Sequence, residues 1–133
     1  MRDLRGERAR RAGVREERLR ATAGLRQSSL ALSSWRGRSG RRYVVGVHPL
    51  DEALVLDVVD AVIIAVRREP DGSARVVDIA TAGAAPGSQG RTRWTARVRQ
   101  QGATEIHVHR LAESDAERHA ILDDLRENEA EAS

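Results

Sequence analysis

Six arginines, Arg67, Arg68, Arg91, Arg93, Arg97 and Arg99, and three histidines, His48, His107 and His109, are the residues whose types and spacing suit chemistry. Four of the arginines fall in GRTRWTARVRQ (90–100), a segment with no acid. On a helix Arg93 and Arg97 are neighbours at i and i+4, where like charges repel by about 0.2–0.5 kcal/mol. A cluster that tolerates such repulsion points to an anionic partner, the phosphates of DNA or RNA foremost, and Arg67 and Arg68 at a hairpin turn extend it. The competing reading is an ordinary solvated surface neutralised by the acidic final helix. His107 and His109 share one face of a strand, and His48 on a neighbouring strand would complete a three-imidazole site for zinc or another transition metal. The same spacing describes a half-solvated strand face, and Glu105 could serve as the supporting carboxylate only if the strand is exposed there. No catalytic residue is assigned. No serine sits in a nucleophile motif, and GRSG (37–40) and GSQG (87–90) lack the Lys-Ser or Lys-Thr of a phosphate loop. The absence of cysteine excludes disulfides and thiolate metal sites.

The elements that must position these residues are legible as an α+β domain with a small, mainly antiparallel sheet flanked by helices. Its anchor is a hairpin over 61–83, in which the apolar run Ala61 to Val66 returns through Val76, Val77 and Ile79 after a turn at Pro70, Asp71 and Gly72. A strand over 42–48 is stopped by Pro49, and Asp51 caps a short helical turn over 51–57. The arginine helix runs from about Gly90 to Gln101, with Trp94 and Val98 on its inner face and Gly102 at its stop. Thr104 to His109 alternates as a strand, Ile106 and Val108 on one face and Glu105, His107 and His109 on the other. Ser114 and Glu117 form a capping box ahead of the last helix.

All 23 basic residues are arginine, and their distribution is uneven. Residues 1–42 carry a net +9, residues 43–110 are neutral and residues 111–133 carry −6. Residues 1–34 therefore read as a basic arm and linker, a fraying or solvated helix followed by a Ser-rich and Gly-rich lead-in. Residues 35–127 form the domain, and 128–133 an acidic tail. With no apolar run near the ~18 residues of a membrane span and no apolar segment after the charged N-terminus, a cytoplasmic protein without membrane contact is expected.

The order of elements, with the strings GRSGRRYVVGVHPL (37–50), AVIIAVRR (61–68), VVDIATAG (76–83), RVRQQGATEIHVH (97–109) and AERHAILDDL (116–125), resembles the GIY-YIG nuclease superfamily and its small bacterial relatives. The resemblance implies Mg²⁺-assisted phosphodiester cleavage, with a hairpin Tyr activating water, an Arg steadying phosphate and a helical Glu holding the metal. At the matching positions this chain has Ile63, Val77 with Asp78 and Ile79, Gly87 and Leu122, which offer no hydroxyl, guanidinium or metal-binding carboxylate in those roles. Asp123 and Arg91 lie near two of these positions, and the single Tyr, Tyr43, belongs to a different strand. The resemblance thus implies a degenerate scaffold that binds nucleic acid without cutting it and needs no cofactor. The alternatives are a Mg²⁺-dependent nuclease working through Asp78 or Asp123, and a protein-interaction module.

Overall fold

Strand β4 (Ala61–Arg68) is the organising element, because each of its faces feeds a separate core. The computed structural model describes residues 14–18, 31–84, 87 and 89–126. Within them the chain is α+β, with β1 (Arg15–Arg18), β2 (Ala31–Arg36), β3 (Arg42–Pro49), α1 (Glu52–Asp57), β4, β5 (Ala74–Ala82), α2 (Gln89–Gln100), β6 (Glu105–His109) and α3 (Asp115–Leu125). The strands form one sheet in the order β1-β2-β3-β6-β4-β5, every neighbouring pair antiparallel.

Because side chains alternate along a strand, Val62, Ile64 and Val66 enter one core with Trp35, Tyr43, Val45, Ile121 and Leu125, closed by α3. Ala61, Ile63 and Ala65 enter the other with Val55, Val98, Ile106 and Val108, closed by α1 and α2. Burial of both faces explains why β4 reads as a continuous apolar run. Each fully buried Val or Ile side chain contributes about 1.5–3 kcal/mol. The β4–β5 register shifts between Ala65 and Val66, leaving Val77 without a partner across the ladder. Such a bulge adds local twist, and the sheet curls until β1 comes back against β5.

Local signals account for the element ends. Asp51 accepts the Ala53 N–H at 3.0 Å to start α1, and Ser114 Oγ accepts the Glu117 N–H at 3.1 Å to start α3. The Glu117 carboxylate turns back to the N–H of Glu113 at 3.0 Å, one residue before the cap. Gly102, at φ 101°, ends α2 in a left-handed conformation that glycine adopts without strain.

Two expectations are corrected at the N-terminal side. Ser28 to Gly40 is not merely a linker, since Ala31–Arg36 forms β2 and carries Trp35 into the core at 1% exposure. Arg15–Arg18, expected within a helical or solvated arm, forms β1 and pairs with β2 in register Glu16↔Trp35 and Glu17↔Ser34. The serine hydroxyl of Ser34 donates to the Glu17 carbonyl at 3.0 Å. The acidic tail 128–133 and residues 1–13 and 19–30 of the arm lie outside the described residues. No helix among the described residues is long and apolar enough to cross a membrane.

Candidate nucleic-acid interface

The arginines brought forward by the sequence separate into two structural residues and four exposed ones. Arg68 is structural. Its guanidinium bridges Glu16 at 2.7 Å and Glu105 at 2.8 Å and also donates to the Gly72 carbonyl at 2.9 Å. Arg91 is structural too: its Nη1 donates to the carbonyls of Val55, Leu56 and Val58 at 3.1, 3.3 and 2.6 Å. A cation there satisfies the open carbonyls at the C-terminus of α1 and meets the negative end of its dipole. Both guanidinium groups, expected among the phosphate contacts, are engaged within the fold.

The remaining four are exposed. Arg93 and Arg97 stand roughly 40° apart around α2, whereas Arg99 lies roughly 160° from Arg97 on the opposite flank. Arg97 donates to Asp78 at 2.8 Å, and the indole N–H of Trp94 donates to the same carboxylate oxygen at 2.8 Å. Trp94 is half-buried against the core, as expected, and Asp78 fixes this flank of α2 over β5. The guanidinium groups of Arg93 and Arg99 have no hydrogen bond or ion pair among the described residues. On the sheet, Arg67 faces Arg75 directly across the β4–β5 ladder, a like-charge pair that is unfavourable on its own. Both lean on Glu69, at 3.6 and 3.8 Å. Arg67 also runs along the end of α2, its Cδ 3.4 Å from where a Cβ would stand on Gly102.

Arg67, Arg75, Arg93 and Arg97 thus share the α2 side of the sheet, with Glu69 and Asp78 as intervening acids. Among the described residues no ion pair joins them to the acidic helix α3, which packs on the opposite core. Sequence reading missed Arg75, whose cross-strand pairing with Arg67 depends on a register that the bulge sets.

The histidines do not converge. Cross-strand partners share a face, and the register sets His48 opposite Ile106, on the other side of the sheet from His107 and His109. No group of three or more His, Asp or Glu side chains is poised around a metal among the described residues. Nor is the His107 face half-solvated: His107 is 0% and His109 4% exposed. The Trp35 indole donates to His107 Nδ1 at 2.9 Å, so that nitrogen is bare and the proton sits on Nε2, which donates to Glu105 at 2.8 Å. Burial pushes His107 below the ordinary 6.5 despite the carboxylates of Glu105 and Glu16 nearby. His109 Nδ1 donates to the Val44 carbonyl at 2.7 Å.

This chain of Glu16, Arg68, Glu105, His107 and Trp35 sets an acid response. Burial opposes ionisation of Glu16 and Glu105, yet hydrogen bonds from Arg68 hold both below the ordinary 4.5. Burial also lowers His48. A depressed histidine makes the unfolded chain take up a proton first, so stability falls as pH drops below 6.5. Stabilisation from the two glutamates, present above 4.5, is lost as pH falls through their lower folded values. Melting temperature against pH is expected to decline in these two stages, and His107→Gln, which keeps an acceptor for Trp35, is expected to shrink the first. An unchanged first stage in that variant contradicts the assignment.

The positions that the resemblance makes catalytic are not brought together. Ile63 is 1% exposed and Val77 packs against the same core beneath α1 and α2, while Leu122 packs against the opposite core. Asp123 is exposed on α3, Asp78 is engaged by Trp94 and Arg97 on the other side of the sheet, and Gly87 is exposed just ahead of α2. Tyr43 donates to Asp124 at 2.7 Å; burial and that carboxylate push its phenol up to about 12, so it stays protonated near neutrality. No protein-family model, curated protein or solved structure matches the chain. What the fold and site define is therefore a class: a small α+β domain with a basic helix flank laid over an edge hairpin.

Proposed function

We propose that the chain is a non-catalytic nucleic-acid-binding domain, a degenerate relative of the GIY-YIG scaffold that grips phosphates through the α2 side of its sheet. The observation that carries this reading is the set Arg67, Arg75, Arg93 and Arg97 on one surface, held on rigid elements and only partly matched by Glu69 and Asp78. Arg99 contributes from the far flank of α2. Guanidinium groups suit phosphate because their planar donors pair with two oxygens at once. Among the described residues the large exposed hydrophobics are Val44 and Leu111, so no exposed aromatic offers a stacking platform for unpaired bases. Contacts to the backbone, largely blind to sequence, are what this surface supports.

The test is binding of a labelled duplex across a salt series. The logarithm of affinity is expected to fall linearly with the logarithm of salt concentration, at about 0.9 per phosphate neutralised. Affinity that does not change with salt removes the proposal. Asp78 provides a second handle, since its carboxylate competes with phosphate for Arg97. Asp78→Asn keeps an oxygen for Trp94 while removing the charge, and is expected to tighten binding by roughly two- to fivefold, in line with the energy of a surface ion pair. Weaker binding in that variant would mean that Asp78 positions Arg97 instead of competing for it.

A further inference from the structure

The other side of the sheet carries a cleft of about 490 Å³ between α3 and the loop joining β2 to β3. That volume is in the range of small-molecule sites. Its aromatic part is the edge-on pair Tyr43 and His109, with ring centroids 5.5 Å apart, and its apolar wall includes Ile121 and Leu111. Leu111 is 68% exposed, a large apolar side chain left in water at the rim.

The charges lining the cleft sort themselves. Arg42 is matched by Glu17 outside it. The Asp124 carboxylate is satisfied inside it, accepting from the Ser39 N–H at 2.8 Å, the Ser39 hydroxyl at 2.7 Å and the Tyr43 hydroxyl. Those bonds hold Asp124 ionised below its ordinary range against the effect of burial. Two exposed groups are left. Arg41 has no ion pair or side-chain hydrogen bond among the described residues, and its charge is felt at the Tyr43 phenol. Glu117 gives one carboxylate oxygen to the Glu113 N–H and has no cationic partner among the described residues.

We infer that this cleft binds a compact zwitterion with an apolar body, of the class of a free apolar or aromatic amino acid. Arg41 takes the carboxylate, Glu117 takes the ammonium, and the side chain covers Leu111 and Ile121 beside the Tyr43 ring. A simple anion would face Glu117 and a simple cation would face Arg41, so the lining selects a ligand bearing both charges. The site is separate from the α2 surface, and neither reading depends on the other.

L-phenylalanine, 3-phenylpropionate and phenethylamine, followed by protein-observed NMR on the full chain, distinguish the cases. Phenylalanine is expected to give saturable shifts at Tyr43, His109 and Leu111, with each single-charge analogue at least tenfold weaker. Arg41→Ala and Glu117→Gln, the latter keeping an oxygen for the Glu113 N–H, are each expected to weaken phenylalanine by a similar factor. Arg93→Glu with Arg97→Glu is expected to leave it unchanged. Absence of saturable shifts with phenylalanine, equal binding of the three probes, or full affinity in Arg41→Ala overturns the inference.

Discussion

Replacement of Arg68 by alanine is expected to destabilise the fold by about 2–3 kcal/mol, between the ~1 kcal/mol of an exposed pair and the ~3–5 kcal/mol of a fully buried one, because the network is only partly buried. Arg68 is flanked by Glu16, whose side chain is 6% exposed, and Glu105, at 21%. Without the guanidinium both carboxylates lose their cation, and Glu105 is also the acceptor for His107 Nε2. The loss therefore spreads to the Trp35–His107 contact and to β1, which has only charged residues and is fastened to the sheet by polar bonds. Urea denaturation measures the effect. Adding Glu16→Gln to Arg68→Ala is expected to recover part of the loss, because the stranded charge is removed. A loss of about 1 kcal/mol or less, the scale of a surface pair, would mean that water reaches the network and that β1 is held by other means.

The same network marks the limit of what one-dimensional patterns reveal. Ile106 and Val108 against Glu105, His107 and His109 is a period-2 signal, and it was readable as two faces. That the polar face is buried was not readable, because the donor for His107 is Trp35, 72 residues away. Arg15–Arg18 has no apolar residue to predict a strand; its conformation follows from pairing with β2 and from Glu16 reaching Arg68. Capping is different. Asp51 and Ser114 act within three residues of themselves, so both helix starts were legible, as was the 61–83 hairpin.

Arg91 and Arg93 show why the placement of each arginine is only partly legible in the sequence. They are two residues apart, hence roughly 160° apart around the helix, and that angle sends one to the carbonyls ending α1 and leaves the other in solvent. Composition alone cannot separate them, since the helix phase is fixed by the burial of Thr95 and Val98. Arg75 depends likewise on the β4–β5 register.

Reversal of charge on the outer flank of α2 carries the second large effect. Under the proposed function, Arg93→Glu with Arg97→Glu would replace two phosphate contacts with two repelling carboxylates, and the second substitution sets a like charge beside Asp78. Affinity for duplex is expected to fall at least tenfold, or about 1.4 kcal/mol. The salt slope is expected to shrink by about 1.8, two contacts at 0.9 each. Folding should be little affected, because both side chains are exposed and Trp94 keeps its bond to Asp78. Arg99→Glu, on the far flank, is expected to weaken binding less.

The most direct measurement is fluorescence anisotropy of labelled DNA and RNA duplexes, titrated with wild-type protein and with the Arg93→Glu, Arg97→Glu variant across a salt series. Salt-sensitive binding by the wild type, with a weaker affinity and a shallower slope for the variant across unrelated sequences, is the predicted result. Equal affinity and equal slope for the two proteins, or no binding by the wild type at low salt, would contradict a phosphate-gripping role for the α2 surface.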